Sequence, residues 1–175
     1  MLSFNQYLIE GNLLQQRVNK HLSKGVSIGA VSPEGAHTQD KEAHEKAHAD
    51  IKGHLEAARK AGHIGGWSGP HKGQYQYGGK DEVAKEGSYL VHAAGDKPEH
   101  HEKMVGALKK IGEKHKQESI LSINKNKEGH WHHLSSSAKS GEKEYQGKVK
   151  YDKPLSRETG RTELKKGGHS FTTVK

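Results

Sequence analysis

Histidine carries the first chemical signal in this sequence, because 15 of the 175 residues are His. His44 and His48 stand four residues apart with Glu45 after the first, which makes the pattern His-Glu-x-x-His. On a helix this spacing puts both imidazoles on one face, where they can bind zinc while the Glu acts as a general base. The motif raises the hypothesis of a small metal-dependent hydrolase that uses His44, Glu45 and His48.

A catalytic zinc site also needs a third protein ligand and an open position for water. The candidates are His37, before the helix, and the pair His130 and His132, which alternation along a strand places on one face. A helical wheel puts His44 beside the apolar stripe of its helix and His48 farther towards solvent. We therefore expect no cofactor, with a shallow, exposed zinc site as the alternative.

Five polar residues lie at the starts of two predicted strands. They can form a polar pocket if those strands lie side by side, or they can cap strand ends and a helix terminus. These residues are Glu86, Ser88, Gln117, Glu118 and Ser119. The sequence has no nucleophile-elbow motif and no glycine-rich phosphate loop, so this group predicts no reaction class.

The charge balance points to polyanions as partners. Lys and Arg number 29 against 21 acidic residues, a net charge of +8. Phosphate neutralisation by Lys and Arg is independent of nucleic-acid sequence. In a glycine-rich stretch, Trp67, Lys72, Tyr75 and Tyr77 interleave aromatic and basic side chains that can contact nucleic acid and stack on bases. The alternative is that these aromatics are partly buried.

Several classes of protein are excluded by composition. The chain has no Cys, which excludes disulfides, thiolate catalysis and cysteine zinc sites. No apolar run approaches the roughly 18 residues that span a bilayer, and no secretory signal is present. We expect no membrane partner.

Apolar periodicity predicts an α+β fold with a small, mainly antiparallel sheet and two main helices. N-terminal short helices and a polar C-terminal extension complete the chain. The helix over 41–61 carries the apolar stripe Ala43, Ala47, Ile51, Leu55 and Ala58. The other predicted elements are strands at 25–31, 88–93, 119–123 and 130–134, a helix at 98–115, and two short strands separated by a loop within 62–79.

Composition divides the chain into four segments. Residues 1–10 form an N-terminal peptide, and residues 11–24 form a linker or short helix. Residues 25–134 form the α+β core domain, and 135–175 a basic, loop-rich extension with strand-like pieces at 149–151 and 170–174.

The first ten residues resemble the capsid-targeting peptide of internal head proteins from T-even-type phages. Phe4 and Tyr7 match its apolar positions, whereas Leu2 departs from the usual Lys. Leu8, Ile9 and Glu10, followed by Gly11, match the cut site of the phage maturation protease. The resemblance implies removal of residues 1–10, the prohead core or maturation protease as partners, and a location inside the capsid and then in the host cytoplasm.

From about Ser32 to Val174 the chain also resembles uncharacterised DUF3293-like proteins of phages and bacteria. This resemblance implies a single α+β domain and brings no established activity. The pieces that carry it are Ser32-Pro33-Glu34, the helix ending Leu55 to Gly62, Gly66, Glu86-Gly87-Ser88-Tyr89-Leu90-Val91, Gln117-Glu118-Ser119-Ile120-Leu121, and Gly160-Arg161-Thr162 with Ser170-Phe171-Thr172. His44 and His48 depart from it, because Asn is expected there.

These observations predict a non-enzymatic, virion-associated internal protein that is packaged in the phage head, is ejected with the DNA, and contacts DNA non-specifically or a host protein. Two alternatives stay open: the metal-dependent hydrolase, and a structural or assembly protein of the phage head.

Overall fold

The computed structural model describes residues 16–33, 41–76, 83–117, 119–134, 148–152, 161–163 and 170–174. The predicted α+β fold with a small antiparallel sheet is confirmed. In chain order the elements are α1 (residues 16–23), β1 (Ile28–Val31), α2 (Lys41–Lys60), β2 (Gly66–Gln76), β3 (Val83–His92), α3 (Pro98–Lys114), β4 (Ser119–Ile123), β5 (Gly129–His133), β6 (Lys148–Asp152), β7 (Arg161–Glu163) and β8 (Ser170–Val174).

The strands form one closed sheet in the order β1-β3-β2-β7-β8-β6-β5-β4, and every neighbouring pair is antiparallel. The short strand β1 lies between β3 and β4, so that Ala30 is opposite both Leu90 and Leu121. Successive side chains of a strand point to opposite faces. Residues of these three strands therefore divide between two cores.

The first core lies on the face that α2 and α3 cover, which we call the α2/α3 face. Its buried residues include Val31, Tyr89, Val91 and Ile120 from the strands with Ile51, Leu55, Met104, Leu108 and Ile111 from the helices. The opposite face, which we call the α1 face, carries a smaller core. Its buried residues are Val18, Leu22, Ile28, Ala30, Leu90, Leu121 and Ile123.

Most predicted elements are present within a residue or two of their predicted bounds. In α2 the apolar stripe is buried only at its C-terminal end, at Ile51, Leu55 and Ala58, whereas Ala43 and Ala47 are half-buried. The prediction of two short strands and a loop within 62–79 is wrong over 66–76, because β2 is a single long strand. The register of its pairing with β3 shifts between Ser68 and His71. Pro70 lies at this irregularity, where its missing N–H costs no hydrogen bond of the regular sheet.

The sheet continues past Leu134. β5 pairs with β6, and β6 pairs with β8. β6 and β8 coincide with the two strand-like pieces predicted in this part of the chain, whereas β7 was not predicted.

Candidate functional site

The His-Glu-x-x-His motif lies in the N-terminal half of α2, with the ring centroids of His44 and His48 4.4 Å apart. The prediction that His48 points farther towards solvent than His44 is wrong, because both are half-buried and His48 reaches the sheet. Its Nδ1 is hydrogen-bonded to the hydroxyl of the fully buried Tyr89 at 2.8 Å. A Cβ at Gly87 would lie 2.6 Å from Cε1 of His48, so glycine leaves room for the imidazole. His48 thus anchors α2 to β3.

The other parts of the hydrolase hypothesis do not assemble around this pair. Glu45 is exposed and lies 3.9 Å from Nζ of Lys41. On β5 the ring centroids of His130 and His132 are 6.4 Å apart, and Nε2 of His132 is hydrogen-bonded to Oγ of Ser122 at 2.8 Å. Within the described part of the chain, no three His, Asp or Glu side chains converge in a way that could hold a metal ion. His37 lies outside the described residues.

The polar-pocket alternative needs the two strands to lie side by side, but β1 pairs between β3 and β4. Ser88 on β3 and Gln117 before β4 are both buried, while Ser119 is half-buried. Glu86 lies in β3, and Glu118 lies outside the described residues. The order in which strands insert into a sheet depends on contacts distant in sequence, which local patterns do not encode.

The predicted nucleic-acid residues lie on or next to β2. Trp67 is half-buried and packs edge-on against Tyr89, with ring centroids 5.8 Å apart. Lys72 and Tyr75 lie farther along β2, and Tyr77 lies outside the described residues. Trp67 therefore combines a packing role with a position at the edge of a pocket.

That pocket opens between α1 and the α1 face of the sheet and has a volume of about 120 Å³. Apolar side chains and polar or cationic ones both line it. The lining residues are Arg17, Val18 and His21 from α1, Ile28 from β1, Trp67 and Ser68 from β2, and Leu90, Val91 and His92 from β3. We call it the α1 pocket.

Two stacked imidazoles form one wall of the α1 pocket. The rings of His21 and His92 have centroids 4.1 Å apart and planes inclined by 17°. Nδ1 of His92 lies 3.0 Å from the carbonyl oxygen of Ala93; because a carbonyl only accepts, this nitrogen carries a proton and donates it. A Cβ would lie 2.6 Å from Cε1 of His92 at Gly65 and 2.8 Å from its Nε2 at Gly66. The two glycines thus make space for the His92 ring.

Three cationic side chains lie on the same side of α1 as His21. Arg17, Lys20, His21 and Lys24 follow the spacing i, i+3, i+4, i+7, which places them on one side of α1 and its C-terminal turn. We call them the α1 basic stripe. Burial lowers the pKa of His21 from its ordinary value, and the charges of His92, Lys24 and Lys20 lower it further. Residues 16–24 contain no acidic residue, whereas α2 contains four and α3 three.

The sequence contained a signal for this site. The stripe Leu14, Val18 and Leu22 predicts a short amphipathic helix. The complementary spacing of Arg17, Lys20 and Lys24 is visible in the same segment. The contact of His21 with His92 joins residues 71 positions apart and leaves no local pattern.

No protein-family model matches the chain, and no curated protein matches it. Within the ranges that the structure describes, no helix is both long enough and apolar enough to cross a membrane. The phage resemblances therefore depend on residues 1–11 and on the short motifs between Ser32 and Val174.

Proposed function

We propose that this chain is a non-enzymatic internal head protein of a tailed phage that contacts DNA, without sequence preference, through the α1 basic stripe. The observation that supports the DNA contact is the concentration of Arg17, Lys20, His21 and Lys24 on one helix side with no acidic residue between them. Arg17, Lys20 and Lys24 are exposed, so each can approach a phosphate.

The dimensions of the stripe suit a DNA backbone. Positions i to i+7 of a helix span about 10 Å, close to the length of three base pairs. Cations held at that spacing can contact consecutive phosphates of one strand and release condensed counterions. Trp67 lines the pocket beside the stripe, where its ring can contact an unpaired base.

His21 adds a pH dependence to this contact. Its lowered pKa favours the neutral ring in the free protein, whereas a phosphate beside it favours the protonated ring. By linkage, DNA binding raises the pKa of His21, and DNA affinity increases as the pH falls.

Salt-dependent binding to duplex DNA tests the proposal. We expect the triple variant Arg17→Gln, Lys20→Gln, Lys24→Gln to lose at least roughly tenfold in affinity at low salt and to flatten the log–log salt slope by about 2.7, the value for three phosphates. The matched control is Lys103→Gln, Lys110→Gln, Lys114→Gln on α3, which removes the same charge from exposed positions. Equal losses in both variants, measured by fluorescence anisotropy, would contradict a specific role for α1.

The virion location depends on residues 1–10, which lie outside the described residues. We expect the protein from purified virions to begin at Gly11 and Glu10→Ala to keep the peptide attached, as judged by mass spectrometry. Met1 on the virion protein would remove the cleavage hypothesis. Retention in capsids after DNA ejection, without DNA binding in solution, would support the assembly-protein alternative. If the protein is instead ejected with the DNA, that result would support a host protein as a partner in addition to DNA.

We do not extend the proposal to zinc-dependent hydrolysis. Glu45 pairs with Lys41 at the surface, and Nδ1 of His48 is engaged by Tyr89. The geometry of α2 therefore favours a structural role for His48.

A further inference from the structure

Two other histidines face each other across the contact between α2 and α3. His54 lies on α2, and His115 directly follows α3. Nδ1 of His54 is 3.3 Å from Nε2 of His115, and the ring centroids are 5.4 Å apart with planes inclined by 74°. Both side chains are half-buried. As it stands, the contact is a hydrogen bond between the two rings, and the tautomers decide which ring donates.

The same separation suits two ligands of one tetrahedral metal ion. Zinc binds imidazole nitrogen at about 2.0–2.1 Å, so two nitrogens at a tetrahedral angle lie about 3.3–3.4 Å apart. We propose that His54 and His115 bind a zinc-type transition metal ion that clips α2 to α3. This site is separate from the α1 pocket and does not depend on the proposed DNA contact.

This histidine pair joins two helices, because His54 lies on α2 and His115 directly follows α3. Imidazoles from two elements hold those elements together when they bind one metal ion. Two of the other histidine pairs are less suited, because Tyr89 engages Nδ1 of His48 and Ser122 engages Nε2 of His132.

Water fills the remaining coordination positions, and the carboxylate of Asp50 adds negative charge nearby. Asp50 lies one helical turn before His54, is exposed, and is close enough for its charge to act on His115. Because no three ligand side chains converge in the described part of the chain, two imidazoles hold the ion and the site stays open. An open site of this kind exchanges its metal readily.

Metal binding at this position stabilises the fold, because the ligands come together only in the native state. With zinc at about a hundred times its Kd, the melting temperature of a chain of this size rises by roughly 5–10 °C.

The test uses the full chain without a His tag, treated with EDTA and then titrated with zinc sulfate. We expect one zinc per chain by calorimetry and a rise in melting temperature that His54→Gln and His115→Gln each abolish. Glutamine keeps a hydrogen-bonding group there, so circular dichroism without zinc checks that each variant folds. The controls His63→Gln and His130→Gln, both at exposed positions, keep the rise. No rise in the wild type, or an equal rise in His54→Gln and His115→Gln, would overturn the proposal.

Discussion

The two faces of the sheet are covered to very different depths. On the α2/α3 face, helices of 20 and 17 residues cover the strands, and Leu55, Tyr89 and Leu108 are fully buried. On the α1 face, the described helix has eight residues, and its buried side chains are Val18 and Leu22. The first face therefore contributes most of the apolar burial. The second leaves an open pocket beside a row of cations, where binding can develop without disturbing the main core.

Core truncation gives the largest expected effect. We expect Leu108→Ala to lower the free energy of unfolding by about 4–5 kcal/mol, because α2, α3 and the sheet enclose the resulting cavity. Leu22→Ala should cost about 2–3 kcal/mol, because the short α1 can move towards the strands. Urea denaturation measures both. An equal or larger loss for Leu22→Ala would show that the α1 face is as important for stability as the other.

The better covered face was also the more predictable one. The stripe Ile51, Leu55 and Ala58 and the strand Ser119–Ile123 follow helical and strand periodicities that can be read directly from the sequence. β2 was harder to predict because glycines and Pro70 interrupt it, and its strand geometry depends on pairing with β3. Tertiary pairing of this kind overrides local propensity.

The candidate site was predictable only in part. Trp67 and the net positive charge were identified from the sequence, because aromatic and basic residues have a recognised role in nucleic-acid contact. The α1 pocket was not identified, because His21 meets His92 and the glycine pair Gly65 and Gly66 only in the folded chain. Glycines beside each other suggest a turn, and nothing local indicates that they make space for a ring.

A pair of glycine substitutions tests whether His92 is held in a fixed position on the α1 face. We expect Gly65→Ala to lower the free energy of unfolding by about 1–3 kcal/mol, because the new Cβ would lie 2.6–2.7 Å from the His92 ring and the Ala93 carbonyl oxygen. Gly53→Ala on α2 is the matched control. Outside the backbone of its own helix and its chain neighbours, no atom of the described residues lies within 4 Å of the new Cβ, so higher helix propensity stabilises the protein by about 0.5–1 kcal/mol. Destabilisation is measured by urea titration, and the same sign in both variants would contradict the assignment.

Acid should lower the free energy of unfolding through protonation of His132, which lies on the α2/α3 face. Burial lowers its pKa to about 4, and Lys109, His130 and His101 contribute in the same direction. The folded chain keeps this imidazole neutral while the unfolded chain protonates it, so its contribution is complete above about pH 6.5 and is lost as the pH falls towards 4. Allowing for partial solvent screening, we expect roughly 1–2 kcal/mol.

The variant His132→Gln isolates that contribution. The difference in the free energy of unfolding between pH 7 and pH 4.5 should shrink relative to the wild type, as measured by urea titration at each pH. His63→Gln, at an exposed position that does not contribute to the pKa of His132, serves as the control. An unchanged pH dependence in His132→Gln would assign the acid sensitivity to other groups.

The smallest expected change in stability comes from removing single lysine charges on the α1 face. Lys20 and Lys24 are exposed, and removing either charge should change the free energy of unfolding by less than about 0.5 kcal/mol. Each lowers the pKa of His21, so Lys20→Gln and Lys24→Gln should both raise that pKa, whereas Lys52→Gln on α2 should leave it unchanged. An NMR titration of the His21 ring measures this directly. Burial, the largest cause of the lowered pKa, is the same in all three variants, so a rise confined to the α1 variants can come only from local charge. If neither Lys20→Gln nor Lys24→Gln raises the pKa of His21, these lysines do not act on the α1 pocket. The α1 basic stripe would then not distinguish the α1 face from the α2/α3 face as a binding site.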